Sequence, residues 1–174
     1  TRIPESEQQR ILLELLIALQ HAVDLDSVLA HMLAAITNEL DFANAVVALV
    51  DQEQQVLQPW MSQNKEHKTA VLLERPQVSL FETSDPLVAV LTSGEFTHLD
   101  LSSQFGYRHG LAVPMHWGVL PIGILLVDLA GRENDVEECA TLITISEHTA
   151  VTIGMMQTRR RLARDSAVQE ERAR

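Results

Sequence analysis

Residues 109–129 read His109-Gly110-Leu111-Ala112-Val113-Pro114-Met115, then His116-Trp117-Gly118-Val119, then Leu120-Pro121-Ile122-Gly123-Ile124-Leu125-Leu126-Val127-Asp128-Leu129. Two apolar runs with so short a break between them predict an antiparallel hairpin that closes a sheet. Pro114 has no N–H to give to a ladder, and Gly123 lets a neighbouring backbone come close. Both demands are structural and say nothing about a ligand.

Upstream, Ala45-Val46-Val47-Ala48-Leu49-Val50 is short, rich in valine and bounded by polar residues, which describes a buried central strand. Asp51 to Gln54 suits a hairpin turn, with a second strand from Gln55 to Met61. The polar stretch from Ser62 to about Ser79 contains Pro76, which argues against a regular central strand. Ser84-Asp85-Pro86 predicts a helix start with proline in the first turn, running through Leu87, Val88, Val90 and Leu91 to Gly94. A short strand from Glu95 to His98 and a polar loop from Leu99 to Gly106 complete the middle of the chain.

Helices bracket these strands. Ile11, Leu12, Leu15, Leu16, Leu19, Ala22 and Val23 have the spacing of an amphipathic helix over about 5–23. Asp24 or Asp26 caps a second helix built on Val28, Leu29, Met32, Leu33, Ile36 and Leu40. Asp135 with Glu138 three residues later predicts a capping box at the start of a long last helix. The inward positions of that helix run through Leu142, Ile145, Thr149, Thr152 or Ile153, and Met156, then thin to Leu162, Ala163 and Ala167. An apolar stripe that narrows in this way predicts a domain helix continuing into a coiled-coil connector. The expected architecture is α+β: a central antiparallel sheet flanked by N- and C-terminal helices, with a C-terminal coiled-coil extension. It divides as 1–23, an N-terminal helix for dimerisation or linkage; 24–158, the domain; and 159–174, a helical connector toward an output domain.

Composition limits the function classes. The 174 residues and a hydrophobic share of 46% suit one core. A net charge of −11 disfavours a nucleic-acid surface, because the basic residues cluster only at Arg159, Arg160, Arg161 and Arg164, a run that reads as a solvated helix face. One cysteine, Cys139, allows no internal disulfide and no CxxC site. No apolar stretch is long enough to span a bilayer, and TRIPESEQQR has no signal-peptide plan. With Thr1 rather than Met at the start, the expectation is a soluble, cytoplasmic piece of a longer protein whose remainder has room for a membrane anchor.

The order helix, helix, strand, strand, helix, strand, hairpin, long helix resembles the plan of GAF domains over about 24–158. Three stretches carry the likeness in order: Asp85 to Glu95, ending in a small-residue-Gly-Glu turn; Leu111 to Leu125, the proline-to-glycine hairpin; and Val136 to Met156, the terminal helix. Each is loose alone. The tail Ala167-Val168-Gln169-Glu170-Glu171-Arg172-Ala173-Arg174 resembles the segment before the phosphoacceptor histidine in sensor kinases of the nitrate/nitrite type, although a charged linker has the same composition. The resemblance implies a signal-input or signal-transmitting domain, dimerising through its first and last helices. Leu15, Leu19, Ile145, Thr149, Ile153 and Met156 are the candidate seam, with packing on the sheet as the competing role. Two rival expectations are a ligand-free dimerisation module and the regulatory domain of an enhancer-binding transcription activator.

Within that resemblance the loops over the sheet would cover a pocket, and Tyr107-Arg108-His109 is the polar-aromatic cluster placed there, with Arg108 suited to an anion. Trp60, Phe81 and Trp117 are candidates to line the same pocket, and His98 to approach His109 across neighbouring strands. Haem-binding relatives exist, but the histidines match no metal motif and haem is disfavoured; the resemblance implies either a small-molecule ligand whose identity the sequence does not give or a relayed conformational signal. Catalysis fails on inventory. Relatives that reduce free methionine sulfoxide need several cysteines, bilin-attaching relatives need a pocket cysteine, and no NKxxF-type motif, Gly-rich phosphate loop, GxSxG elbow or kinase signature occurs.

Overall fold

The computed structural model describes residues 3–67, 69–132 and 135–174. Two helices open the chain, α1 (Glu5–His21) and α2 (Leu25–Ala34), the latter running into a π-helical turn at Ala35–Glu39. Of the two candidate caps, Asp24 is the one used, accepting from the Ser27 amide at 2.8 Å. Asp26 instead accepts from the Trp60 indole N–H at 2.8 Å and ties α2 to the sheet.

The strands are β1 (Asn44–Asp51), β2 (Val56–Asn64), β3 (Val71–Leu72), β4 (Val78–Ser79), β5 (Thr97–Leu101), β6 (Tyr107–Trp117) and β7 (Leu120–Asp128). They form one antiparallel sheet in the order β3-β2-β1-β7-β6-β5, with β4 also on β2. The polar stretch after residue 62 therefore holds the end of β2 and two short edge strands, and Pro76 falls between them, where no ladder donor is required. The strand expected at 95–98 is shifted to Thr97–Leu101. Helix α3 (Pro86–Ser93) has Pro86 in its first turn and Asp85 capping it through the amides of Leu87 and Val88.

Gly123 explains why β1 and β7 can pair so tightly. A Cβ at this position would stand 2.2 Å from the Ala48 carbonyl oxygen, so no other residue fits without separating the strands. The last helix, α4 (Val136–Ala173), is continuous for 38 residues. Only half of its expected capping box forms. Asp135 accepts from the Glu138 amide at 3.0 Å, but the Glu138 side chain turns to Arg132, whose Nε donates to it at 2.7 Å. Arg132 also lies 3.7 Å over the Phe42 ring, so a charged pair takes the carboxylate that the neutral cap would have used.

The sheet separates two cores. On one face α1, α2 and α4 close over Ala45, Val47, Leu49, Leu111, Val113, Leu125 and Val127. On the other face α3 and the adjoining loops close over Val46, Ala48, Val50, Ala112, Ile124 and Leu126. The period-two alternation of each strand supplies both faces, which is why β1 and β7 are apolar at nearly every position.

Candidate functional site

Tyr107, from the polar-aromatic cluster that the resemblance sets at a pocket, lies on the face under α3. Tyr107 is buried there with Leu101, Leu87, Val90, Leu91 and Leu57. Its ring meets Phe105 at 5.9 Å, and the Arg75 guanidinium lies 4.8 Å over Phe105 while donating to the Gln104 carbonyl oxygen. Burial pushes the Tyr107 phenol far above its ordinary range, and the negative charge of Asp128 adds to the effect against a smaller opposing pull from Arg75. Asp128 itself is held by the Asn44 amide at 3.1 Å and the Ala130 backbone N–H at 3.2 Å. The twelve buried apolar residues described on this face are 0 to 7% exposed.

The other candidate ligand residues do not converge on Tyr107. Arg108 and His109 are exposed on the strand beside it. His98 lies on the helix side of the sheet, in a shallow apolar groove of about 390 Å³ with Phe96, Val136, Cys139 and Ile143. Trp60 packs against the helix-side core, because the bulge between Val47 and Ala48 puts Trp60 and its neighbour Met61 on the same face. Trp117 also belongs to the helix side, and Phe81 is 79% exposed. The shared aromatic lining expected of Trp60, Phe81 and Trp117 does not form: the two tryptophans lie against the helix-side core and Phe81 is exposed. Among the described residues no group of three or more His, Cys, Asp or Glu is arranged to hold a metal.

The candidate seam residues also change role. Leu15, Leu19, Ile145, Thr149 and Ile153 are all buried within the protomer, with the Thr149 hydroxyl donating to the Ile145 carbonyl at 2.8 Å. Ile145, Thr149 and Ile153 pack on their own sheet, Leu15 and Leu19 pack on α2 and α4, and Met156 is half-buried beside them. Apolar positions left on the surface include Leu13 (60% exposed) and Ile17 (50%) on α1, and Val151 (42%), Met155 (43%) and Leu162 (63%) on α4, with Val136 and Val168 exposed nearer its two ends. Between the two helices runs an open groove of about 490 Å³, bounded by Leu16, Gln20, His148, Val151 and Met155. The spacing of Val151, Met155, Thr158 and Leu162 in steps of four, three and four is a seam pattern that sequence inspection passed over.

Farther along α4, Gly154 lies directly on the indole of Trp117. A Cβ there would come within 2.5 Å of the ring, so the helix and the tip of the β6–β7 hairpin are in backbone-to-ring contact.

No family model matches the sequence, and no curated protein matches it. Solved structures do. The GAF domain of a phosphoenolpyruvate-protein phosphotransferase from Acinetobacter superposes with a TM-score of 0.72 at 16% identity, covering 90% of this chain and 97% of that one. The GAF domain of a two-component sensor histidine kinase from Bacillus halodurans gives 0.60 at 15%, covering 79% and 98%. A free methionine-R-sulfoxide reductase from Neisseria meningitidis, solved with its substrate, gives 0.68 at 13%, covering 90% and 95%. At these identities the likeness concerns the backbone, and by its sheet order, its flanking helices and these superpositions the chain has a GAF-like fold.

Proposed function

We propose that this chain is a signal-transmitting GAF domain that acts as a homodimer and passes motion to an output domain through α4. The observation that carries the reading is the second apolar stripe: Val151, Met155 and Leu162 on α4, and separately Leu13 and Ile17 on α1, stay exposed although a core is already built within the protomer. A helix that covers its sheet with one face and keeps a heptad-like stripe on another is equipped for a parallel partner. The two packings of such a bundle give a signal something to bias.

Relay without a ligand on the face under α3 is supported by the burial of the apolar residues described there. A non-catalytic role is supported by Cys139, the one thiol of the chain: burial raises its pKa, and Asp135 and Glu138 raise it further, so it is a poor nucleophile at neutral pH. The output domain is read as that of a sensor histidine kinase, supported by the resemblance of Ala167 to Arg174 and by the kinase-derived domain among the structural neighbours. A cytoplasmic setting goes with that reading, and among the described residues no helix is long and apolar enough to cross a membrane.

Sedimentation velocity tests the dimer. The wild-type chain is expected to sediment as a dimer, and Val151→Glu with Met155→Glu as a monomer with an unchanged circular dichroism spectrum. A monomeric wild-type chain, or a double variant that remains dimeric, overturns the reading.

A further inference from the structure

Where α4 leaves the sheet it borders a cleft of about 480 Å³. Gln157, Arg160, Arg161 and Arg164 form its helical wall, with Thr158 of the exposed stripe at its margin, and Gln52 and Glu53 of the β1–β2 turn and Leu120 at the start of β7 form the opposite side. The floor is fixed, because the Gln52 side-chain amide donates to the Pro121 carbonyl at 2.6 Å and locks the two turns together.

At about 100° per residue, Gln157, Arg160, Arg161 and Arg164 continue the side of α4 that carries Ile153 and Gly154. Upstream, that side is buried on the sheet and on Trp117. The exposed stripe of Val151, Met155 and Leu162 runs along a different side. The arginines therefore occupy the body-facing surface of the helix just past the end of the sheet, and neither the dimer stripe nor the outward face accounts for them.

Their charge is poorly matched within the protomer. Residues 157–174 hold six of the chain's 13 basic residues and three of its 24 acidic ones. Arg160 and Arg164 are one turn apart, as are Arg161 and Arg164, and like charges so placed repel. The Glu53 carboxylate approaches Arg164 Nη1 at 3.8 Å with both side chains largely in water, while Arg160 and Arg161 make no ion pair among the described residues. One exposed carboxylate thus faces three guanidinium groups.

We propose that this cleft binds a phosphate-bearing ligand, with phosphate oxygens taken by Arg160, Arg161 and Arg164. Guanidinium forks match phosphate oxygens two at a time, and three arginines less one glutamate leave a charge of about +2 that a phosphate-bearing ligand offsets. The volume accommodates such a group. Bound there, it ties the connector to both hairpin turns and stiffens the junction through which α4 leaves the body. The inference does not depend on dimerisation. Its chemistry has two sources, a soluble oligophosphate or a phospholipid headgroup.

Calorimetry with sodium tripolyphosphate and co-sedimentation with phosphatidylglycerol vesicles, each against the whole chain, separate these sources. Binding in the first assay assigns a soluble ligand. Binding to phosphatidylglycerol but not phosphatidylcholine vesicles, without tripolyphosphate binding, assigns a headgroup. In either case Arg160→Ala with Arg164→Ala is expected to weaken binding at least tenfold with an unchanged melting curve, whereas Arg159→Ala, which borders the α1–α4 groove on another side of the same helix, weakens it less than threefold. Absence of binding in both assays overturns the proposal. So does an Arg159→Ala loss as large as that of the double variant, which would reduce the effect to general charge.

Discussion

The two faces of the sheet are closed in different ways. The helix side buries 27 apolar residues under three helices, and the face under α3 buries 12 beneath one eight-residue helix and its loops. The first core is held by long elements from both ends of the chain, whereas the second is held by a local insertion between β4 and β5. Stability should therefore reside mainly on the helix side. The smaller core should tolerate change more readily.

The most damaging test of that asymmetry is Ile145→Asp, which places an unpaired charge at a fully buried helix-side position. It is expected to cost more than about 4 kcal/mol and to leave no cooperative melting transition. The dimer stripe plays no part in this, so a folded monomer of the variant would show that Ile145 lies in a seam and that the helix-side assignment is wrong.

A smaller effect probes the junction between the faces and the connector. Gly154→Ala forces the Trp117 ring away from α4, and overpacking of this kind costs about 1–3 kcal/mol. Chemical denaturation should show the loss together with a changed Trp fluorescence. A variant as stable as wild type would mean that the indole moves aside freely and that the contact positions nothing.

The smallest effect belongs to the second core. Tyr107 has its folded pKa raised above the ordinary value of 10.0, so its contribution is fully present below that value and is lost as pH rises beyond it, when the unfolded chain releases the proton first. Wild-type stability should fall between about pH 10 and 11, by at most about 1.4 kcal/mol per pH unit for one group. Tyr107→Phe should flatten that decline in urea titrations across the same window. An identical slope in both proteins would place the phenol in water.

Much of this organisation was legible in the sequence, because each element announces itself locally. The β-branched run at Ala45 to Val50, the proline in the first turn of α3 and the hairpin around Gly118 all lie where their residue chemistry puts them. Facing was harder to read. The bulge in β2 turns Trp60 toward the helices without any local signature, since the extra residue is defined only by its partner strand. On α4 the sequence shows more than one apolar stripe and cannot say which meets the protomer's own sheet. Ile145 and Ile153 belong to the stronger stripe, and the sheet took it. Glu138 illustrates a third limit: a helix-start pattern names the acceptor, but Arg132 lies outside the pattern and claims it.

The unbroken run of α4 also sets a mechanical gain. From Gly154, seated on Trp117, to Ala173 the helix extends about 28 Å at 1.5 Å per residue. A tilt of about 5° about that seat swings the far end through about 2.5 Å, roughly half a helical turn of displacement from a movement at the seat too small to disturb the packing. The glycine, by letting the ring touch the backbone, places the fulcrum next to the sheet and leaves the whole remaining length as the arm.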